Sequence, residues 1–286
     1  MNGRTALGTA VGIIALAGLA SPSEAQDKSQ YTLFNPTPAD QMRSFNTDRP
    51  TKSNVPYTVD AGHIQYEGDI FIYGFDNTTT PDTDNRTWVI GNPTFKLGLL
   101  DNVDFEVNFS AFNSISSTTR STGASNTLSG FGDTVTRFKI NLFGNDGGGP
   151  ALALIPYGKW PTAPQGIGNR YVEGGIIAPL AVPLPLGFTA ILMGEFDYQK
   201  NPNDAGYHAN FPALINVSRP IVDGVTAYAE LYANWSTHPG VRDIYTADFA
   251  VAWTPRPNFQ LDFGINVGLV PAAIPYQIYV GVAQRF

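Results

Sequence analysis

Hydrophobic and polar residues alternate strictly along several stretches of this chain. In residues 103–112, Val103, Phe105 and Phe109 fall on one side, whereas Asp104 and Glu106 fall on the other. The same period of two runs through residues 225–235, 245–254 and 259–268. Successive side chains of a β-strand point to opposite faces, so alternation over this length predicts strands with one apolar face.

Segments of this kind follow one another along most of the chain, and turn residues separate them. They are residues 63–74, 86–99, 102–112, 131–143, 150–160, 171–182, 188–198, 207–218, 225–236, 245–254, 259–268 and 275–286. Long polar connections at 75–85, 113–130, 161–170, 199–206 and 237–244 alternate with mostly short ones. An even strand number with alternating long and short loops is typical of outer-membrane barrels. The predicted fold is all-β, a transmembrane antiparallel up-and-down barrel of about 12 strands with both termini periplasmic.

The sequence divides into three parts. Residues 1–25 carry Arg4, an apolar stretch at 6–20 and a small-residue cleavage site ending at Ala25, which predicts a cleaved signal peptide and export to the bacterial outer membrane. Residues 26–60 are rich in proline and do not alternate, so they are an extended segment that either plugs the barrel lumen or forms a periplasmic tail. Residues 61–286 form the predicted barrel.

Composition narrows the function. The chain has no cysteine, which excludes disulfides and thiolate chemistry. The net charge is −7 and no Lys/Arg cluster occurs, which argues against nucleic acid as a partner. After residue 25 no apolar run is long enough for a transmembrane helix, so spanning requires a closed barrel and the lipid bilayer as a partner. We expect no cofactor and no metal.

Several strings resemble one family of exported barrels. They are Thr47-Asp48-Arg49-Pro50, GHIQYE at 62–67, GFGD at 130–133 followed by TRFKINLF, and ALALIPYGKWPT at 151–162. That family is assigned to transport in the meta-pathway of phenol degradation. The resemblance implies an outer-membrane transporter of small organic solutes, and it marks Asp48 and Arg49 as the N-terminal motif. The terminal Phe286 resembles the signal by which such barrels engage the barrel-assembly machinery.

Charged residues on the polar faces of the strands must point into the lumen, because charge is costly against lipid. The predicted lumen charges are Glu67, Asp69, Lys96, Asp104, Glu106, Arg137, Lys139 and Arg285, together with Asp248 and Asp262. Acidic and basic members fall on neighbouring strands, so they form either a charged constriction that selects solutes or a structural lattice of ion pairs.

A second predicted lumen set is aromatic. It consists of Phe71, Tyr73, Tyr157, Tyr228, Tyr232 and Tyr279. Tyrosine offers an apolar ring face and a hydroxyl group, which suits amphipathic aromatic solutes such as phenols. Alternatively, these rings only fill volume. The predicted function is therefore a passive channel for small organic, aromatic or apolar solutes, and not an enzyme.

Two alternatives stay open at this point. An outer-rim hydrolase would use His208 or His238, with Asp204 or Asp243 nearby in sequence. No nucleophile elbow, HExxH motif or P-loop supports catalysis. A structural barrel with a closed lumen is the other alternative. Asp76, Asp82 and Asp84 lack the spacing of a calcium loop, so we expect solvated loop acids there.

Overall fold

The computed structural model describes residues 27–202 and 205–286. The β-segments are β1 Ile64–Asp76, β2 Thr83–Leu100, β3 Val103–Phe109, β4 Phe112–Thr119, β5 Ser125–Gly130, β6 Thr134–Phe143, β7 Ala151–Trp160, β8 Glu173–Pro183, β9 Thr189–Lys200, β10 Tyr207–Val222, β11 Val225–Ser236, β12 Ile244–Arg256, β13 Phe259–Gly268 and β14 Tyr276–Arg285. The helices of this part are two 3-10 turns, Ala39–Gln41 and Pro185–Gly187. In the same described ranges, none is long and apolar enough to cross a membrane.

The sheet closes on itself, because β1 pairs antiparallel with both β2 and β14. The first half of β2, residues 83–90, pairs with β4, and the second half, residues 94–100, pairs with β3. On their other edges, β3 pairs with β6 and β4 pairs with β5. The segments β3 and β4 therefore make one wall strand with a short break, and β5 and β6 make another. The fourteen segments form a closed barrel of twelve antiparallel strands, which confirms the predicted all-β barrel and its strand number.

Both ends of the barrel are defined by where the strands begin and end. We call the end at which β1 begins and β14 ends the proximal end, and the opposite one the distal end. The proximal turns are short except for residues 144–150, between β6 and β7. The predicted signal peptide at 1–25 and the rim residue Asp204 lie outside the described residues.

One predicted connection is wrong. Residues 113–130 do not form a loop, because β4 and β5 pair there as a hairpin that extends two wall strands beyond the distal end of β6 and β7. Every residue from Ser125 to Ser129 is exposed. Strand β5 has solvent on both sides and needs no apolar face, so its Ser-, Thr- and Asn-rich sequence carries no alternation that would reveal a strand.

Strand β1 contains a β-bulge at Ile70. Asp69 pairs with Gly281, but Phe71 pairs with the next residue along β14, Val280, so that Ile70 is an extra residue. A bulge of one residue exchanges the two faces of the strand that follows it. Before Ile70 the odd-numbered side chains of β1 point inward. After Ile70 the even-numbered side chains do.

The prediction that Phe71 and Tyr73 point into the lumen is wrong for this reason. Both rings contact Trp88, with centroid distances of 5.1 and 4.5 Å, and Trp88 is exposed on the outer surface. Ile72 borders an internal cavity instead. The facing strand β2 accommodates the change at Gly91, whose φ of 65° places it in the left-handed region.

The two faces of the wall differ in chemistry. The outer face exposes large apolar and aromatic side chains along the strands, among them Phe95, Phe138, Leu192, Phe249 and Val251. The inner face carries charged and amide side chains that are nearly all buried. Because large apolar residues cover the outer face and the charged residues point inward, the barrel suits a lipid environment rather than water.

Candidate functional site

The chain before β1 lies against and inside the proximal end of the barrel. The Leu33 N–H donates to the Leu99 carbonyl at 2.8 Å, and the Thr37 N–H donates to the Ala61 carbonyl at 3.0 Å. Residues 43–60 then rise into the lumen and return to the same end. We call them the inserted loop. Its side chains and backbone contact strands on several sides of the barrel.

The base of the inserted loop is closed by an ion-pair cluster. The Arg43 backbone N–H donates to both carboxylate oxygens of Asp60, at 3.2 and 3.1 Å, and its guanidinium pairs with Asp60 and Asp101. Arg285 of β14 donates to Asp60 at 3.2 Å. Asp60 is completely buried. Because an unpaired buried carboxylate is costly, this cluster fixes the loop to the last strand.

Asp48 carries the first contact of the loop tip with the wall. Its carboxylate accepts hydrogen bonds from Lys96 at 2.5 Å and from Lys139 at 2.8 Å. It also accepts the Val55 N–H at 2.7 Å, which joins the rising and returning halves of the loop. Burial would raise the pKa of Asp48, yet the ammonium groups of Lys139 and Lys96 hold that pKa well below its ordinary value.

Arg49 carries the second contact. Its guanidinium donates to both oxygens of Asp262, at 3.0 and 2.5 Å, and to Asp69 at 2.7 Å. Burial would lower the pKa of Arg49, but hydrogen bonds and charges from the two aspartates raise it. The group therefore stays charged inside the barrel.

The wall leaves a recess for this guanidinium. A Cβ atom at Gly281 would overlap the Arg49 side chain, so only glycine permits the approach. The Tyr279 ring lies beside it, with the guanidinium carbon 5.8 Å from the ring centroid. We call this recess, formed by Asp69, Asp262, Tyr279 and Gly281, the arginine slot.

Lys52 and Ser53 carry the third contact. Their backbone N–H groups each donate to the Glu230 carboxylate at 3.1 Å. The Lys52 ammonium pairs with Asp248, whose carboxylate is completely buried. These bonds anchor the tip to β11 and β12, on the far side of the lumen from Lys96 and its strand.

The structure places the eight predicted lumen charges on the inner wall. Seven of them are buried, and Arg137 is half-buried. The eight residues are Glu67, Asp69, Lys96, Asp104, Glu106, Arg137, Lys139 and Arg285. Lys96 lies 2.6 Å from Glu67, and Lys139 lies 3.3 Å from Glu106. Arg137 is held more loosely, since 3.8 Å separates it from Glu106. Asp104 accepts the Val59 N–H of the inserted loop at 2.9 Å.

Four of the six predicted lumen aromatics face inward, namely Tyr157, Tyr228, Tyr232 and Tyr279. Tyr157 and Tyr232 border an apolar patch of the inner wall. The patch consists of Ile155, Ile177, Met193 and Leu214, one from each of β7 to β10. The loop reaches it at Asn54, whose N–H lies 3.4 Å from the Met193 sulfur. The lumen thus has a charged side and an apolar side.

Cavities remain on both sides of the loop tip. The distal chamber, about 210 Å³, is bordered by Asn92, Asn108 and Arg137. The proximal chamber, about 280 Å³, is bordered by Ile191 and Tyr228 among others. A smaller cavity of about 140 Å³ adjoins Ile72 and Tyr279. Arg49 and Thr51 border all three cavities, so the tip of the inserted loop separates them.

Sequence reasoning missed several residues of this arrangement. They are Arg43, Lys52, Asp60 and Glu230. A signal was present, because the polar strand faces carry more acids than bases while residues 26–60 carry Arg43, Arg49 and Lys52. Basic residues in an otherwise unstructured segment could have been matched to the surplus of inward acids.

The histidines of the enzyme alternative sit near the distal rim. His208 is buried, and its Nδ1 lies 3.0 Å from the Asn201 amide oxygen. Its ring centroid lies 5.3 Å from that of His238. Asp243 accepts the Ser236 N–H, not a histidine. Among the residues of 27–202 and 205–286, no group of three or more potential ligands is arranged for a metal ion, and Asp76 instead accepts the N–H groups of Thr78 and Thr79.

Comparison with known proteins bears on the fold and the family. The COG4313 outer membrane channel from Pseudomonas putida F1 aligns with a TM-score of 0.55 and 16% identity, covering 78% of this chain and 94% of that one. The β domain of the Bordetella autotransporter BrkA aligns with a TM-score of 0.49 and 13% identity, covering 78% of this chain and 99% of that one. The NanC porin aligns with a TM-score of 0.48 and 8% identity, covering 77% of this chain and 98% of that one.

The first of these is an outer membrane channel, and the barrel fold of this chain matches it. No curated protein matches the chain by sequence. A family model described as "Putative MetA-pathway of phenol degradation" matches residues 47–286, from the start of the Asp48-Arg49 motif to the last residue. The chain belongs to that family.

Proposed function

We propose that this protein is a passive outer-membrane channel for small organic solutes of aromatic or apolar character. In this proposal residues 1–25 are removed on export, both termini lie in the periplasm, and Phe286 engages the assembly machinery. The channel consumes no energy of its own and performs no catalysis. The inserted loop narrows the lumen and the barrel wall provides the path.

One observation carries the proposal. The lumen holds chambers on both sides of the loop tip, and Asp48, Arg49, Thr51 and Ser53 line both of them. A barrel whose lumen served only as a packed core would leave no such space beside polar walls. A selective channel requires space for solute on both sides of a narrow constriction, and the two chambers provide it.

The solute class rests on the apolar side of the lumen. Tyr157 and Tyr232 present rings beside Ile155 and Met193, and the Tyr157 hydroxyl donates to Asp197 at 2.5 Å. A surface with ring faces next to hydroxyl and carboxylate groups suits solutes that have an aromatic ring and a polar substituent. The family description, which refers to phenol degradation, agrees with this class.

Flux measurements in proteoliposomes test the function. Phenyl glucoside and methyl glucoside differ only in the group on the anomeric oxygen, a phenyl ring in one and a methyl group in the other. Both cross a lipid bilayer slowly without a protein. We expect both solutes to enter vesicles that contain the protein faster than vesicles without it. Phenyl glucoside should enter faster than its larger size alone would allow. Tyr232→Ala should reduce that preference, whereas Tyr276→Ala on the outer face should not. Folded protein without flux of either solute would refute the proposal.

Cysteine labelling tests the orientation, because the chain has no native cysteine. Ala124→Cys lies in the β4–β5 turn and Asp223→Cys in the proximal turn between β10 and β11, and both positions are exposed. A membrane-impermeant maleimide added to intact cells should label the first and spare the second. The reverse pattern would place the termini outside the cell.

A further inference from the structure

The arginine slot is built from the barrel wall alone. Asp69 comes from β1, Asp262 from β13, and Tyr279 and Gly281 from β14, so three neighbouring strands converge on one guanidinium. The Asp262 side chain is completely buried and that of Asp69 is 12% exposed. The inserted loop supplies only the occupant. A fork of N–H donors facing two carboxylates with a ring beside it is the geometry that selects guanidinium over other cations.

The slot is also the point where the cavities are kept apart. Arg49 borders the distal chamber, the proximal chamber and the small cavity beside Tyr279. When the Arg49 side chain leaves the slot, its end of the loop tip loses its contact with β13 and β14. The tip is then held by Asp48 and Lys52 on the other strands, and the partition beside β1 is weakened.

The slot cannot stay empty at low cost. Two carboxylates with little access to water would remain without a cation, which is strongly unfavourable. Arg49 leaves readily only if another cation takes its place. Exchange of one cation for another keeps the wall charges paired throughout, and it makes release depend on the chemistry of the incoming group.

We propose that the arginine slot is a binding site for solutes that bear a guanidinium group, that Arg49 fills it from within the chain, and that such a solute opens the path between the chambers by displacing Arg49. This inference rests on the proposed channel function. It adds a ligand class and a site to it.

Planar-bilayer conductance of the full-length protein tests the inference, with guanidinium chloride as the probe. Tetramethylammonium chloride at the same concentration is the control, because it has the charge but no N–H donor. Four proteins are compared: the wild type, Arg49→Ala, Gly281→Ala, whose added Cβ expels the guanidinium without removing a charge, and the double variant with both substitutions. Arg256→Ala, at an exposed arginine, and Gly194→Ala, where a Cβ meets nothing within 4 Å, are the matched controls.

The expected pattern is specific. Millimolar guanidinium should raise wild-type conductance several-fold, and tetramethylammonium should not. Both Arg49→Ala and Gly281→Ala should conduct several-fold more than wild type without any probe, and guanidinium should raise neither further. Guanidinium should increase the thermal midpoint of Arg49→Ala, because it pairs the two carboxylates that this substitution leaves without a cation, but not that of the double variant that also carries Gly281→Ala. The control variants should behave as wild type.

Wild-type conductance that responds equally to both cations would overturn the exchange, as would an Arg49→Ala protein with wild-type conductance. Either result leaves solute flux in the liposome assay untouched, so the channel function would stand without this site. Absence of flux and of conductance in every protein, including Arg49→Ala, would refute the channel function itself and the inference with it.

Discussion

The Lys139 ammonium lies 2.8 Å from each carboxylate oxygen of Asp48, although 91 positions separate the two residues in the sequence. Lys139 is completely buried on β6, and Asp48 comes from the inserted loop. A buried ammonium needs a carboxylate within reach, so the loop contributes to the charge balance of the wall as well as narrowing the lumen.

Asp48→Asn should destabilise the protein by about 2 kcal/mol, because Lys96 and Lys139 each lose their charged partner in the loop and keep only the wall carboxylates of Glu67 and Glu106. Chemical unfolding in detergent micelles measures the change in free energy of unfolding. Asp40→Asn removes an exposed carboxylate from the same segment and should have little effect. Equal losses in both variants would contradict the assigned role of Asp48.

The contribution of Asp48 should depend on pH in one direction. Because its pKa is lowered in the folded protein, the stabilisation is complete above its ordinary value, roughly pH 4, and is lost as pH falls through the folded pKa. The difference in unfolding free energy between wild type and Asp48→Asn should therefore be constant from neutral pH to about pH 5 and shrink below about pH 4. A difference that grows on acidification would show the sign to be wrong.

Gly264→Ala should destabilise the barrel by about 1–3 kcal/mol, because its Cβ would overlap the Tyr279 ring that lies across β13. Displacing that ring also disturbs one side of the arginine slot. Thermal unfolding followed by circular dichroism gives the loss. Gly194→Ala places the same methyl group where no atom lies within 4 Å, and it should leave the midpoint unchanged.

The bulge at Ile70 makes a prediction about solvent access. Cysteine at position 72 should react with a water-soluble maleimide in proteoliposomes, because Ile72 borders an internal cavity. Cysteine at position 71 or 73 should react slowly with it and faster with a lipid-soluble reagent, because Phe71 and Tyr73 face outward beside Trp88. Reaction rates of the three single variants decide between this register and a strand without the bulge.

The strands that could be predicted from the sequence are those with different chemistry on their two faces. Strands β11 and β13 alternate without interruption, and the predicted bounds, residues 225–236 and 259–268, are those observed. Ile70, Phe71 and Ile72 are three consecutive apolar residues, so alternation carries no phase information at the bulge. The pairing with Val280 fixes the phase there, and that pairing is a property of the closed sheet.

The destination of the inserted loop could not be read locally. Residues 43–60 have neither helical nor strand periodicity, and their partners lie on strands far along the chain, such as Asp248 and Asp262. The wall charges could be predicted because lipid excludes them from the outer face. Which of them would pair with the loop depends on the diameter and register of the finished barrel.

Both ends of the inserted loop leave the lumen through the same mouth, so the chain enters as a hairpin and is never threaded through the cylinder. A pull on residue 27 would therefore load its contacts one after another, as in peeling. The wall strands would resist the same pull in shear, with many ladder hydrogen bonds loaded at once. The segment before β1 should come out at a small fraction of the force that extracts a strand, and it can return without the barrel ever opening.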